Sequence, residues 1–217
     1  VLRTAFLSVL LAVCGWAAAA WLTHDFQVWT DEGARRLEVA LRPVPVPAVQ
    51  VQDADGAHAS LQALLEGEGP APAGATIVDF FYTHCETICL SLGASFQQLQ
   101  AALQADAEAG AASGVRLLSI SFDGARDDPA TLAEYGRGLG ADPRLWRFVR
   151  VPDAREEQAL LRRLGVVVVP DWRGDFEHNA ALLVFDRSGR MRRVFDLAEQ
   201  QLALDYARHL ARQEGAS

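Results

Sequence analysis

ATIVDFFYTHCETICLSLGASFQQLQAALQADAEAG, residues 75–110, decides the fold. Its first quarter, ATIVDFFYT, is a continuous apolar, β-rich run, the pattern of a central strand buried on both faces. The remainder has helical periodicity to about Gly110. A strand therefore feeds directly into a helix, and Cys85 and Cys89 stand at the junction. On a helix, residues four apart share a face, so both sulfurs can address one ion or each other. A helix N-terminus also favours thiolate over thiol, and thiolate is the form that ligates metals and attacks disulfides.

Upstream, AVQVQDADG (48–56) reads as a short alternating strand ending in a turn at Asp55-Gly56. SLQALLEGEG (60–69) is a short helical or irregular piece. VRLLSISFD (115–123) is a second buried strand, and DDPATLAEYGRGLG (127–140) a helix started by Asp128 and Pro129. LWRFVRV (145–151) is a strand, and DAREEQALLRRLGV (153–166) an amphipathic helix stopped at Gly165. ALLVFDRSGRMRRVFDL (181–197) is a hairpin around Asp186–Gly189, and EQQLALDYARHLARQ (199–213) a closing helix. Strands alternate with helices before a hairpin and helix end the chain. This predicts an α/β domain with a central mixed β-sheet flanked by helices, and the thioredoxin-like fold has this order of elements.

At the N-terminus, Thr4 to Thr23 contains no Asp, Glu, Lys or Arg. That is about the 20 residues a transmembrane helix requires. Arg3, the one basic residue before it, favours the N-terminus inside and the rest of the chain outside. An uncleaved single-pass anchor and a cleaved secretory peptide, cut near Ala17–Ala20, both export the remainder of the chain. Export from a bacterial cell places the domain in the periplasm, against the inner membrane if the anchor is kept. Cys14 reads as a lipid-facing or helix-packing residue, since bulky Val13 precedes it. Residues 25–41 form a polar, partly amphipathic connector, and the stiff RPVPVPA stretch (42–48) follows it. The expected organisation is 1–24 anchor or signal, 25–47 connector and linker, and 48–217 globular domain.

The formal net charge of −8 argues against a nucleic-acid partner, because phosphate binding needs a basic face. All 20 basic residues are Arg, which looks like genome composition. Three cysteines are too few for a disulfide framework; one close pair is the arithmetic of a redox or metal site. Two soft thiolates suit Cu(I), which an imidazole can complete, whereas zinc usually wants a fourth ligand. Of the five histidines, His24 is juxtamembrane, His58 sits by the first turn, His84 adjoins Cys85, and His209 lies in the last helix. His178, in DFEHNAALLVF, precedes a strand whose entry loop faces the cysteine helix in a thioredoxin-like fold. As an exported dithiol, Cys85 and Cys89 would also suit a thiol-disulfide oxidoreductase, although two intervening residues are usual there. A peroxidase expects Thr shortly before its reactive Cys, as Thr83 is, but Cys89 lies too close to be the common resolving residue.

VDFFYTHCETICLSL resembles the copper-site segment of the Sco/SenC family of copper chaperones. LLSISFDGARDDPATLAEYGRGLGADPRLWRFV is similar to that family's next strand and helix, and EHNAALLVFDRSGRMRRVF to the stretch carrying its ligand histidine. The likeness is collinear over roughly residues 46–210. It implies a thioredoxin-like domain that binds copper, Cu(I) first of all, through Cys85, Cys89 and His178. It also implies action on the dinuclear copper site (CuA) of cytochrome c oxidase, or on another cuproprotein, by delivering copper, reducing target cysteines, or both. Asp123 matches an acidic position recurring in the family, and a turn cap explains it equally. The sequence departs from the family where Pro usually follows each cysteine: Glu86 and Leu90 stand there. Glu86 puts negative charge beside the thiols. Glu177 stands where Asp is more frequent, either to orient the imidazole or simply as a solvated residue.

Overall fold

The computed structural model describes residues 2–23, 25–26, 28–66, 73–84, 88–111, 113–172 and 175–215. The chain divides into two compact units, Val1–Arg42 and Pro43–Ser217. The first holds α1 (Leu2–Leu22) and α2 (Asp31–Leu41). Among the described residues α1 is the one helix long and apolar enough to cross a membrane. Its 21 residues span about 31 Å, the thickness of a hydrocarbon core. Nearly all of its side chains are exposed, so it is not a core helix. Beyond it the chain reverses through Asp25 and Phe26, both at positive φ, and the Phe26 ring packs on Trp16 and Trp29. Thr30 caps α2 by accepting the Gly33 N–H.

In the second unit, eight strands form one mixed sheet. They are β1 (Val44–Pro45), β2 (Gln50–Asp53), β3 (His58–Ser60), β4 (Ala75–Phe81), β5 (Val115–Ser121), β6 (Trp146–Arg150), β9 (Ala181–Asp186) and β10 (Arg190–Asp196). Their order is β1-β10-β9-β4-β5-β6-β2-β3. β4, β5 and β6 are mutually parallel, and the hairpin β9–β10 runs antiparallel to β4. Every residue of β4 and β9 is buried, the polar Thr76, Asp79 and Asp186 included, as expected of predominantly apolar strands covered on both faces. Three long helices connect strands, α4 (Ile88–Glu108), α5 (Pro129–Gly138) and α6 (Ala154–Leu164), and α7 (Gln200–Gly215) closes the unit after β10. The two crossovers β4-α4-β5 and β5-α5-β6 advance in one direction, which places α4 and α5 on one face when both are right-handed. Gln97 and Gln100 of α4 duly hydrogen-bond the carbonyls of Leu139 and Gly140, just past α5.

The sheet is strongly curled. β1 and β2 are six strand spacings apart in the sheet, about 29 Å if it were flat. Yet Pro45 and Gln50 are joined by a chain that reaches at most roughly 18 Å. The short helix α3 (Leu61–Leu65), next after edge strand β3, helps close the curl: a Cβ on Gly189, in the β9–β10 turn, would meet Gln62 and Val46. The Asp128–Pro129 start of α5 and the Gly165 stop of α6, at φ 69°, sit where the sequence expects them.

Two features differ from the sequence reading. Val44–Pro45 does not only span a gap; it pairs with β10 as an edge strand, and the compact unit begins at Pro43. A small separate hairpin, β7 (Val168–Pro170) with β8 (Phe176–His178), stands where the sequence suggests a loop. His178 therefore ends a strand instead of merely preceding one.

Candidate functional site

β4 delivers the chain to the site. Its ladder with β5 ends at Phe81, where the Phe122 N–H donates to the Phe81 carbonyl at 3.0 Å. Tyr82 and Thr83 then carry the chain toward the cysteines. Cys85 and Glu86 lie outside the described residues. Cys89 is the second residue of α4 and Leu90 the third, each described by its backbone.

Thr83 is held by a buried carboxylate. Asp127 is wholly inaccessible to solvent. Its Oδ2 accepts the Thr83 N–H at 3.0 Å and the Ser121 hydroxyl at 2.6 Å, and its Oδ1 accepts the Thr83 hydroxyl at 2.5 Å. A hydroxyl has one proton. With that of Thr83 given to Asp127, the 3.1 Å contact to His84 is an Nδ1–H donating to the Thr83 oxygen. The spent Ser121 hydroxyl likewise accepts the Asp123 N–H at 3.0 Å. Asp123 itself pairs with Arg126 and closes a turn through its carbonyl, a structural role like the cap the sequence allows. Beside it, Glu157 accepts the Gly124 N–H at 3.1 Å. Burial first, then the nearby charges of Asp123 and Asp127, push the Glu157 pKa up to about 7.

Tyr82 reaches the other way. Its hydroxyl lies 3.3 Å from the Phe176 nitrogen and 3.5 Å from the Phe176 carbonyl oxygen, both on β8. The Tyr82, Phe122 and Phe176 rings pack mutually, with centroids 5.3–5.6 Å apart. His178 stands edge-on to Phe122 at 4.9 Å. Burial lowers the His178 pKa, against a raising hydrogen bond at Asn179. The balance favours neutral imidazole, the form that ligates metal. Asn179 fastens the strand end: its side chain accepts the Val167 N–H at 2.7 Å and donates to the Gly165 carbonyl at 3.1 Å.

The structure thus brings the end of β4 and the His178 strand onto one aromatic cluster. Among the described residues no three His, Cys, Asp or Glu side chains gather as a metal site. His58 and His209 lie on β3 and α7, His84 is exposed beside Thr83, and Glu177 is exposed on β8. His24 lies outside the described residues. Sequence reasoning does not single out Tyr82 or Asp127. In sequence Asp127 merely opens the stretch that starts a helix, and the pairing of Thr83 with a residue 44 positions away leaves no local pattern.

Residues 71–212 match the SCO1/SenC family model. A curated relative, the SCO1 protein homolog of Bacillus subtilis (strain 168), is 27% identical over 150 residues, covering 68% of this chain and 72% of its own length. Among solved structures, Bradyrhizobium japonicum ScoI with copper bound is 25% identical, with TM-score 0.60, covering 76% of this chain and 99% of that one. A SCO1/SenC family lipoprotein from Bacillus anthracis, 18% identical, shares the fold at TM-score 0.66, over 79% of this chain and 96% of its own. The match covers the cysteine segment, the Asp127 turn and the His178 strand together, and the chain belongs to the SCO1/SenC family.

Proposed function

We propose that this chain is an extracytoplasmic copper-binding assembly protein. It holds copper through Cys85, Cys89 and His178, and delivers it to, or prepares the cysteines of, the CuA site of cytochrome c oxidase. The observation that carries the reading is the family match over residues 71–212, which contains all three residues. The copper-bound Bradyrhizobium relative supports the metal. The Tyr82–Phe176 contact supports the pairing of a cysteine segment with a distant histidine. Two thiolates and a neutral imidazole are soft and borderline donors, the set Cu(I) accepts, so the residues fit the cargo.

α1 serves as membrane anchor or export signal and places Pro43–Ser217 in the periplasm. Copper is cargo here: thiolates of the acceptor, the copper-site subunit of the oxidase or another cuproprotein, displace the chain's ligands one at a time. Oxidation of Cys85 and Cys89 by an acceptor disulfide makes one disulfide here and two thiols there, and removes both thiolate donors. Copper loading therefore falls under oxidising conditions and recovers with reductant.

The test is an anaerobic Cu(I) titration of the reduced chain against a competing chelator, with His178→Ala and Cys89→Ser beside it. One tight equivalent, lost in both variants, is expected. Binding indifferent to His178 would instead favour a membrane-anchored thiol-disulfide oxidoreductase using Cys85 and Cys89 as a redox pair.

A further inference from the structure

We infer that Asp127 is a positioning residue for the cysteine segment, acting through Thr83; this rests on the copper-site reading of Cys85, Cys89 and His178. A buried carboxylate is costly to keep unless its oxygens are satisfied. Asp127 is fully buried and collects three donors. Its own turn does not need them. The Arg126 and Asp127 N–H groups already close that turn on the Asp123 carbonyl, each at 2.9 Å. Two of the three donors belong instead to Thr83, two residues before Cys85.

The placement explains the need. Backbone pairing between β4 and β5 stops at Phe81 and Phe122. Beyond it, the Asp127 carboxylate takes over as the bridge between the two strand ends, with Ser121 on one side and Thr83 on the other. Thr83 is thereby fixed through both its backbone and its side chain. A thiolate pair that must meet a histidine on a separate strand needs its entry point fixed, because errors of about 1 Å in a supporting shell loosen a site.

The experiment uses the full chain in detergent, as wild type, Thr83→Val, Asp127→Ala and the double variant. Thr83→Val is nearly isosteric, keeps the backbone donor, and serves if Asp127→Ala fails to fold. Two readouts are taken: Cu(I) affinity against a chelator, and the Cys85–Cys89 dithiol–disulfide equilibrium in a thiol redox buffer. Positioning predicts at least tenfold weaker Cu(I) binding in each single variant, with the double variant within about threefold of Asp127→Ala, since both changes cut one link. It also predicts a tenfold displacement of the dithiol–disulfide equilibrium, about 30 mV for this two-electron couple. Variants that lose thermal stability while both readouts stay at wild-type values would overturn the inference and leave the copper reading standing. A wild type that binds no Cu(I) would overturn the copper reading, and the redox equilibrium alone would then decide the role of Asp127.

Discussion

The Tyr82 hydroxyl stands 3.3 Å from the backbone nitrogen of Phe176, a residue 94 positions away. Tyr82 is three residues before Cys85 and Phe176 two before His178, so one contact spans the two halves of the candidate site. The Tyr82→Phe change removes the hydroxyl and keeps the ring packed on Phe122 and Phe176. A hydrogen bond of this kind contributes a net of about 0.5–1.5 kcal/mol. Cu(I) affinity should accordingly fall roughly two- to tenfold, with the larger part of the loss absent in a His178→Ala background. Equal losses in both backgrounds would show that Tyr82 does not act through the histidine strand.

Burial lowers the His178 pKa, and the Phe122 ring packs edge-on against the imidazole at 4.9 Å. Replacing Phe122 with Ala admits water to the imidazole and should raise its pKa toward the ordinary value. NMR titration of the metal-free protein reads this directly. An unchanged or lower pKa in Phe122→Ala would mean that other groups shield the ring. The variant should also lose on the order of 3 kcal/mol, because Phe122 is only 4% exposed.

Much of this arrangement is legible in the sequence, and the reason is burial. β4 and β9 are covered on both faces and read as predominantly apolar runs, and the α5 and α6 boundaries carry their own capping residues. The β7–β8 hairpin is illegible because its strands are three residues long and half-exposed, with Val169 and Trp172 facing solvent. No alternation develops over so short a span. Edge strand β1 is hidden for a different reason: Pro43, Pro45 and Pro47 suggest a spacer, yet proline is tolerated at a sheet edge. The three candidate ligands stand out by residue type and family likeness. The groups that hold their surroundings, Tyr82 and Asp127, act over 94 and 44 positions and leave no spacing to read.

Asp79, in the middle of β4, carries a pH signature. Burial pushes its pKa from 3.8 to about 7, opposed by a hydrogen bond with Ser119, whose hydroxyl also accepts the Trp146 Nε1–H at 2.8 Å. Below about pH 4 folded and unfolded chains both hold this proton. Between about pH 4 and 7 the unfolded chain releases it while the folded chain keeps it, so stability falls as pH rises. Above about pH 7 both forms are ionised and the loss is complete. Asp79→Asn cannot ionise. It should be more stable than wild type at pH 8, by on the order of 4 kcal/mol at most, and near-equal at pH 4. Parallel stability–pH curves from denaturant melts would refute this.

Two glycines separate general stability from site geometry. A Cβ on Gly74, just before β4, would fall 2.6 Å from the Ala211 Cα, at the opposite end of the strand from Tyr82. One on Gly124 would fall 2.4 Å from the Val151 carbonyl oxygen, inside the turn that carries Asp123 and Asp127. Overpacking against backbone costs about 1–3 kcal/mol in either case. Gly74→Ala should therefore lower the melting temperature and leave Cu(I) affinity unchanged, while Gly124→Ala should lower both. Equal copper affinities in the two variants would detach the Asp127 turn from the site.

The chain from Pro43 onward should fold without the first unit. It contains the whole eight-stranded sheet, and β1, the earliest strand, begins at Val44. Removing residues 1–42 takes away α1, whose exposed apolar surface needs lipid or detergent. The shortened chain should be soluble without detergent and melt in a single transition. A cut placed after Ala48 removes the β1–β10 pairing and uncovers Met191, which is 1% exposed in the intact sheet. That shorter chain should melt several degrees lower, since about 1 kcal/mol shifts a domain of this size by roughly 2–4 °C. Calorimetry on the two truncations decides it: identical melting temperatures would mean that Val44–Pro45 is a spacer after all.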